Sequence, residues 1–396
     1  MSDPYQATAV VAVLGGGQLG TMLAEAAQPL RVAVHCLDPD PEAPASYNAQ
    51  AFAEGSFRDA RTVEAFAKTA DAVTVEIESV STEGLAALRD VHGRSVHPRP
   101  EALALIQDKG LQKRAYAEAG IPTAPFALWG GPEDVREQVA GGALALPFVQ
   151  KSRRGGYDGR GVRIVRTRAD LDGLLPGPCL VEEFAAGATE LAVVAARRPS
   201  GEVATYPVVE MDFDPAANLV TQLISPARIS GEVADRARAI AVELVESLDV
   251  CGLLAVEFFL LPDGRLWVNE VAPRPHNSGH VTQDGFATSQ FEQHLRAVLD
   301  LPLGATDQYR PAVMVNLLGE PDADGEAAYA GLPEALSWPG VHVHLYGKAR
   351  VRPGRKMGHV NVVAEDLDGA LATAARVRST LRCVAAAPRL RAHQPS

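Results

Sequence analysis

A glycine-spaced turn close to the start of the sequence constrains the fold most strongly. The apolar run 10–14 predicts a buried strand, and Gly15, Gly17 and Gly20 follow it with the spacing G-x-G-x-x-G. A helical pattern and a second apolar run come next, and that run ends in Asp38. In parallel α/β proteins this arrangement binds dinucleotides, and an acid about 20 residues downstream holds a ribose. The sequence therefore predicts a parallel α/β unit and raises the hypothesis of an NAD site.

The composition disfavours several classes of protein. The chain has 396 residues, of which 47% are hydrophobic and 22% charged, as in ordinary multi-domain globular proteins. Its net charge of −12 disfavours general nucleic-acid binding. Apolar runs fall short of the ~20 residues that a membrane helix needs. The four cysteines are scattered without C-x-x-C spacing, as expected for reduced thiols. We therefore expect a cytoplasmic protein whose partners are small molecules, with no nucleic acid and no membrane.

Alternation of apolar and helical patterns predicts an α/β protein along the whole chain. Further predicted strands are 32–37, 72–76, 146–151, 162–165, 179–184, 312–319, 342–347 and 360–363. Predicted helices are 18–28, 61–69, one that begins at Pro100, one that ends at Gly120, 168–174, 231–248 and 366–380.

The segment 151–161, KSRRGGYDGRG, is a glycine-rich loop between two predicted strands. Four glycines give a backbone that can bend close to an anion and present N–H groups to it. Lys151 lies on the strand just ahead, where it can reach phosphates. A simple hairpin turn needs only two residues, so this composition favours a phosphate-binding loop over a plain surface turn.

A second predicted hairpin, 253–274, carries paired carboxylates. If Asp263 and Gly264 form a two-residue turn, Pro262 faces Arg265 and Glu257 faces Glu270. Opposed side chains lie ~4.5–5.5 Å apart at Cβ, so the two carboxylates repel unless a cation lies between them. Oxygen ligands suit Mg²⁺, and the pattern predicts a magnesium site. The alternative is a slipped register that leaves one acid in solvent.

The segment 272–280, APRPHNSGH, concentrates hydrogen-bond donors directly after Glu270. Arg274, His276 and Asn277 suit a small anion beside a metal. His276 and His280 have the i,i+4 spacing of a zinc helix, but Asn277-Ser278-Gly279 is a poor helix interior, and H-E-x-x-H is lacking.

Two further features complete the candidate sites. Segment 346–359 clusters five basic residues, among which Arg355 can hold a phosphate bidentately. Its alternative is a solvated loop. Glu76 follows a predicted strand, at the edge of the sheet where ligands of open α/β sheets bind. A helix-terminal acid explains Glu76 equally well.

Together these motifs resemble the ATP-grasp superfamily, and within it the N5-carboxyaminoimidazole ribonucleotide synthetases. The resemblance spans about 9–365 and is carried by GGYDGRG, NEVAPRPHNSGH, TSQFEQHLRA and RPGRKMGH. It implies a Rossmann-like pre-ATP-grasp domain at 1–105, a lid region with the glycine-rich loop at 106–185, and an ATP-grasp C-terminal domain at 186–396. It also implies a homodimer and a glycine turn that faces the acceptor substrate rather than a dinucleotide.

The implied reaction converts aminoimidazole ribonucleotide, ATP and bicarbonate into the N5-carboxylated product, ADP and phosphate. Bicarbonate is a poor electrophile, so the γ-phosphoryl group of ATP first activates it as carboxyphosphate. Catalysis then consists largely of positioning and charge neutralisation.

The resemblance also implies roles for residues of this sequence. Bicarbonate or carboxyphosphate is held by the catalytic residues Arg274, His276 and Asn277. ATP is contacted by Lys109, Lys151, Gly156, Tyr157, Asp158, Gly159, Arg160, Gly161, Glu182, Glu183, Ala185, Glu190, Asn269 and Glu270. Mg²⁺ is bound by Glu257 and Glu270. The ribonucleotide is contacted by Gln18, Glu76, Tyr157, Asp158, Arg160, Lys348, Arg355 and Lys356.

Three alternatives remain at this stage. Formate-dependent glycinamide ribonucleotide transformylases share the clamp, but typically have Glu in place of Gln18 and Asp-Thr in place of Asn277-Ser278. The alternative of an NAD-linked oxidoreductase is supported by residues 15–38 alone. A nucleotide-sensing or RNA-binding protein would use the basic segment 348–356, against the acidic net charge.

Overall fold

The computed structural model describes residues 9–156, 161–214 and 219–386. Its first unit is a parallel sheet in the order β3-β2-β1-β4-β5. The strands are β1 Val10–Leu14, β2 Ala33–Asp38, β3 Ala51–Glu54, β4 Ala72–Val75 and β5 Ser95–Val96. The helices are α1 Gln18–Ala27, α2 Ala60–Ala67, α3 Thr82–Asp90 and α4 Pro100–Ile106. The predicted α/β unit is confirmed, because the sheet is parallel and residues 11–14 of β1 are buried at its centre.

The second unit is an antiparallel sheet in the order β6-β9-β7-β8. Its elements are α5 Lys109–Glu118, β6 Phe126–Trp129, α6 Pro132–Ala140, β7 Phe148–Ser152, β8 Val162–Val165 and β9 Cys179–Glu183, with a 3₁₀ helix at Arg168–Gly173. Strands β7 and β8 pair antiparallel, so the glycine-rich segment does join the two strands of a hairpin. Tyr157, Asp158, Gly159 and Arg160 of this loop lie outside the described residues.

A large mixed-length antiparallel sheet forms the body of the molecule, in the order β15-β14-β10-β12-β13-β16-β20-β18, with β11 paired to β10. Its first elements are β10 Thr189–Arg197, β11 Val203–Thr205, β12 Val209–Asp214, β13 Leu219–Ser225, α7 Gly231–Ser247, β14 Gly252–Leu260 and β15 Leu266–Ala272. A 3₁₀ turn at Asn277–Gly279, α8 Thr282–Gly285, α9 Gln290–Val298 and β16 Ala312–Leu318 follow. Helix α9 packs on both α1 and β14, and so ties the first sheet to this one.

The last part of the chain extends the large sheet and adds a small one. Its elements are β17 Gly325–Ala330, α10 Leu332–Leu336, β18 Val341–Leu345, β19 Arg350–Val351, β20 Lys356–Val363, α11 Leu367–Thr380 and β21 Arg382–Ala385. Strands β18 and β20 join the large sheet, and β19-β17-β21 form the small one. The basic segment 346–359 therefore runs from the end of β18 through β19 into the first half of β20, so it lies partly in strands rather than wholly in a loop.

The predicted two-residue turn between β14 and β15 is wrong. Leu261, not Pro262, faces Arg265 across a three-residue loop, in which Gly264 has a φ of +85°. That extra residue would turn Glu257 away from Glu270. An irregularity between Val256 and Phe258 shifts the register back, and Val256 pairs with Val271. A β-bulge thus restores the expected proximity of the two carboxylates.

Candidate active site

The glycine turn that follows β1 is filled by carboxylates of the protein itself. Asp38 accepts a hydrogen bond from the Gly16 N–H at 2.7 Å, and Glu76 accepts one from the Leu19 N–H at 3.2 Å. A Cβ on Gly15 would lie 2.7 Å from Oε2 of Glu76, and one on Gly17 would collide with Oε1. The glycines therefore make room for Glu76. Asp38, the acid expected to hold a dinucleotide ribose, stabilises the turn instead.

Glu76 lies at the carboxyl edge of the first sheet and faces two positively charged side chains from the part of the chain that forms the large sheet. Burial raises its pKa to about 7, although Arg274 and Lys348 favour the charged form. Arg274 also forms an ion pair of 2.6 Å with Glu78. Gln18, half-buried, begins α1 beside the same turn. The structure thus brings Gln18, Glu76, Arg274 and Lys348 to one edge of the first sheet.

Strand β9 places Glu182 between two buried lysines. Nζ of Lys113 lies 2.5 Å from its Oε1, and Nζ of Lys151 lies 2.6 Å from its Oε2. Burial disfavours the carboxylate, but Lys151 and Lys113 outweigh it and lower the pKa of Glu182 to about 2. Lys113 also donates to the carbonyl oxygen of Val268 at 3.0 Å. This buried triad joins α5, β7, β9 and β15.

Lys113 was missed in the sequence analysis, although a signal was present. Along α5, Lys109, Gln112, Lys113 and Tyr116 recur at helical spacing and share one face. Gln112, Lys113 and Tyr116 are buried. A lysine on the buried face of a helix needs a buried partner, and that requirement points to a carboxylate elsewhere in the chain.

The carboxylates of β14 and β15 form a charged cluster with two lysines and Glu190. Lys109 pairs with Glu270, and this charge is the main cause that lowers the pKa of Glu270 to about 2. Burial, Glu270 and Glu190 together raise the pKa of Glu257 to about 8. Burial likewise raises the pKa of Glu190 to about 7. Three acids in one place with incomplete compensation make this a strong site for added positive charge.

Asn269 connects this acidic cluster to Lys151. Its Oδ1 accepts from Nζ of Lys151 at 2.7 Å, and its Nδ2 donates to Oε2 of Glu257 at 3.4 Å. Lys109 of α5 and Lys151 of β7 therefore approach the two carboxylates from the second unit, and Asn269 lies beside them on β15 itself. This is the arrangement that phosphate oxygens and a bound cation require together.

The donor set fits Mg²⁺. Within 9–156, 161–214 and 219–386, no group of three or more His, Cys, Asp or Glu side chains is arranged to hold an ion. Glu257 and Glu270 supply two carboxylates whose repulsion a cation would relieve. Mg²⁺ binds through one or two carboxylates and takes its other ligands from phosphates and water, so two are sufficient.

The segment after β15 is held in a compact form that faces Glu257. Nδ1 of His276 accepts from the Ser278 N–H at 3.2 Å, and Nε2 lies 3.4 Å from Oε1 of Glu257. Both amide atoms of the Asn277 side chain are buried with no hydrogen-bond partner among the described residues. An amide whose donor and acceptor atoms are both unsatisfied can form hydrogen bonds to a polar ligand. His280 turns instead toward Gln290, so the zinc interpretation finds no support.

The remaining predicted residues fall into three groups. Lys348 donates to the carbonyl oxygen of Lys356 at 2.7 Å, and Arg355 donates to that of Arg350 at 2.7 Å, so the basic segment is ordered by its own main chain. Gly161 ends the glycine-rich loop with a φ of +78°, and Gly156 precedes its undescribed part. Glu183 ends β9, and Ala185 packs against a small cluster that includes Leu261 and Trp267.

Three family descriptions match successive parts of the chain. "Ribonucleotide synthetase preATP-grasp domain" matches 8–107, "ATP-grasp domain" matches 114–291, and "Phosphoribosylaminoimidazole carboxylase C-terminal domain" matches 312–373. With the lysines, paired carboxylates and glycine-rich hairpin described above, these matches define the chain as an ATP-grasp ligase.

The relatives define the family more closely. N5-carboxyaminoimidazole ribonucleotide synthase of Synechococcus elongatus is 41% identical over 370 residues, which cover 92% of this chain and 91% of that protein. The protein of the same name from Bacillus subtilis is 37% identical over 91% of this chain and 93% of its own length. The chain therefore belongs to the N5-carboxyaminoimidazole ribonucleotide synthase family.

Solved structures agree with this assignment. The synthetase of Thermotoga maritima has a TM-score of 0.87 and 42% identity, and the match covers 96% of this chain and 100% of that one. A synthase of Aspergillus clavatus, described as a complex with ADP and 5-aminoimidazole ribonucleotide, has a TM-score of 0.84 and 34% identity, over 94% and 98% of the two chains. No described helix is both long and apolar enough to cross a membrane.

Proposed function

We infer that the protein carboxylates the amine of 5-aminoimidazole ribonucleotide with ATP and bicarbonate, and releases ADP and phosphate. One observation carries this function. The acidic pair Glu257 and Glu270, flanked by Lys109 and Lys151, lies directly beside the anion-binding segment of His276. Phosphoryl transfer from ATP to a small anion needs these two kinds of site next to each other.

ATP is the phosphoryl donor, and the lysines and the glycine-rich loop provide its phosphate contacts. Lys151 is already oriented by Glu182 and Asn269, and Lys109 by Glu270, so little reorganisation accompanies binding. Glu257 and Glu270 would hold Mg²⁺, which neutralises phosphate charge when bound. Contacts of Glu182, Glu183, Ala185 and Glu190 to the nucleoside remain part of this proposal.

Bicarbonate is placed by Arg274, His276 and Asn277. An oxygen of bicarbonate attacks the γ-phosphorus of ATP, the bond to ADP breaks, and carboxyphosphate forms. The arginine balances the anionic charge, and the open amide of Asn277 can donate to it and accept from it. The carboxyl group then passes to the substrate amine as the C–O bond to phosphate breaks, and the amine loses a proton.

The ribonucleotide occupies the edge between Glu76 and the basic segment. Gln18 and Glu76 accept hydrogen bonds from the aminoimidazole, while Lys348, Arg355 and Lys356 bind the 5′-phosphate. The proximity of Lys348 to Glu76 supports this placement. Tyr157, Asp158 and Arg160, also proposed to contact this substrate, lie outside the described residues.

We extend the proposal to organisation and location. The domain limits are 1–105, 106–185 and 186–396, and the active form is a homodimer, as the family resemblance implies. A cytoplasmic location is supported by four free, buried cysteines, as expected in a reducing compartment.

The test is release of ADP from Mg·ATP in degassed buffer, with and without bicarbonate and 5-aminoimidazole ribonucleotide. We expect release that requires the ribonucleotide and rises with bicarbonate, together with an acid-labile carboxylated product. Formate with glycinamide ribonucleotide is the parallel assay, and release in that assay alone would overturn the proposal in favour of the transformylase.

A further inference from the structure

Helix α9 carries a glutamine that is completely buried and yet makes contacts outside its own helix. Oε1 of Gln290 accepts from the His276 N–H at 2.9 Å, and Nε2 donates to the His276 carbonyl oxygen at 2.8 Å. Nε2 also lies 2.9 Å from Nδ1 of His280. The amide therefore holds both polar main-chain groups of one residue in the anion-binding segment.

Gln290 is itself held in place by hydrogen bonds that involve neighbouring residues. Its own N–H donates to Oγ1 of Thr282 at 2.8 Å, and the same hydroxyl donates to the Gly279 carbonyl oxygen at 2.6 Å. A Cβ on Gly279 would collide with Oε1 of Gln290. The absence of a side chain at Gly279 thus leaves room for the amide of Gln290, and the hydrogen bonds of this amide hold the turn.

These contacts determine where the imidazole of His276 points. The main chain is held by Gln290, and the ring is held at Nδ1, which lies 3.2 Å from the Ser278 N and 2.8 Å from Oγ of Ser278. The other ring nitrogen, Nε2, is the one that faces Glu257. A small rotation of the backbone would move Nε2 away from the bicarbonate position.

We propose that Gln290 is a positioning residue for bicarbonate activation, which holds the His276 main chain so that Nε2 meets the anion beside Glu257. The inference rests on the proposed function, since it requires His276 to bind bicarbonate. Misplacement of a reacting group by about 1 Å can lower rates by ~100-fold, so a residue without substrate contact can control the reaction.

Helix α9 offers a matched control one turn further along. Gln293 is equally buried, and it clamps one residue in the same way, since Oε1 accepts from the Gly304 N–H at 2.7 Å and Nε2 donates to the Gly304 carbonyl oxygen at 2.8 Å. Gly304 belongs to no proposed substrate contact. Gln290→Met and Gln293→Met each remove two side-chain bonds to the main chain of one residue, His276 or Gly304, and Gln290→Met also removes the contact with Nδ1 of His280.

The experiment measures KM for bicarbonate, KM for ATP, kcat and Tm for both variants and the unmodified protein. We expect similar losses of Tm. Gln290→Met should raise the bicarbonate KM about tenfold or more, a change of ~1.4 kcal/mol, and leave the ATP KM within about twofold. Gln293→Met should leave both KM values within about twofold.

Equal bicarbonate KM values for the two variants, in an active protein, would overturn the positioning role. Failure of the unmodified protein to release ADP with bicarbonate and ribonucleotide would overturn the proposed function instead. If Gln290→Met does not fold, Gln290→Glu serves, because it keeps the acceptor and replaces the donor by an oxygen opposed to the His276 carbonyl. An unchanged bicarbonate KM in that variant would likewise contradict the proposal.

Discussion

Lys151 and Glu182 form a buried ion pair in which Nζ lies 2.6 Å from Oε2, and the same Nζ reaches Asn269 on the large sheet at 2.7 Å. The pair thus connects the four-stranded sheet β6-β9-β7-β8 to β15, the strand that carries Glu270. Lys113 completes the triad from α5. A lysine held by charge on one side and by an amide on the other has a fixed position, as its proposed contact with the phosphates of ATP requires.

Glu182→Gln should destabilise the protein and weaken ATP binding together. It leaves Lys113 and Lys151 in the interior with an incomplete partner, and loss of one member of a buried ion pair costs roughly 3–5 kcal/mol. Urea unfolding and the KM for ATP measure the two effects. Glu210→Gln is the control, because Glu210 is similarly buried but pairs with Arg228, which is half-exposed and can rehydrate. Equal losses in the two variants would contradict the prediction.

The same triad predicts sensitivity to acid. The folded-state pKa of Glu182 is about 2, well below its ordinary value near 4. A carboxyl with a lowered pKa contributes stability above its unfolded pKa, and that contribution is lost as pH falls from about 4 toward 2. The free energies of unfolding of the unmodified protein and of Glu182→Gln should therefore differ less at pH 3 than at pH 7. A difference that stays constant with pH would refute this linkage.

Glu270→Gln should lower kcat by on the order of 100-fold or more, because it removes a proposed metal ligand and the partner of Lys109. Added Mg²⁺ should shift the thermal stability of the unmodified protein, and this shift should shrink in the variant. Glu292→Gln is a control on α9, where the carboxylate pairs only with the nearby Arg296 in the described contacts. Normal turnover by Glu270→Gln would refute its role.

Local patterns predicted the parts of the fold that depend on local physics. The strand–turn–helix at 10–28 followed from apolar periodicity and glycine spacing, and the structure has β1 and α1 there. Helices α3, α6 and α9 were not predicted. Helix α9 does carry an apolar stripe at helical spacing, Phe291, Leu295 and Val298, but it also buries Gln290, Gln293 and His294, whose partners come from other parts of the chain.

Long-range pairing explains what the sequence could not specify. The closeness of Glu257 and Glu270 was expected from an incorrect turn, and it holds only because a β-bulge compensates the longer loop. Lys113 meets Val268 across 155 positions, and Gln290 meets His276 from a separate helix. Residue type showed that such groups need partners, but tertiary packing decided which partners they have.

Glu76→Gln should remove a pH dependence from the use of the ribonucleotide. Burial raises the pKa of Glu76 to about 7, so the carboxylate proposed to accept from the substrate amine is depleted below that pH. In the unmodified protein kcat/KM for 5-aminoimidazole ribonucleotide should fall as pH drops from 8 to 6. The variant should have a value lower by roughly 10- to 100-fold and a flatter profile. An unchanged inflection near pH 7 would assign the titration to another group.

The contribution of Glu76 to stability should change with pH in the opposite direction from that of Glu182. A carboxyl with a raised pKa contributes stability below its unfolded pKa and loses it as pH rises through about 7. The unmodified protein should therefore lose stability relative to Glu76→Gln between pH 5 and pH 8. Urea unfolding of both at these two pH values checks the sign, and a gain of relative stability at pH 8 would contradict it.

Gly17→Ala should disturb the ribonucleotide site through Glu76 rather than through the fold. The added Cβ collides with Oε1 of Glu76, so the carboxylate must move from the position where it accepts from the Leu19 N–H. We expect the KM for 5-aminoimidazole ribonucleotide to rise about tenfold or more while the KM for ATP stays within about twofold.

Gly131→Ala is the matched control, because Gly131 also precedes a helix and has open space where the Cβ would lie. If the two substitutions affected the ribonucleotide KM equally, the glycine turn would have no special relationship to Glu76. A change in KM for Gly17→Ala alone, with both proteins equally stable to heat, would instead establish that these glycines serve the acceptor substrate through the space they leave for one carboxylate.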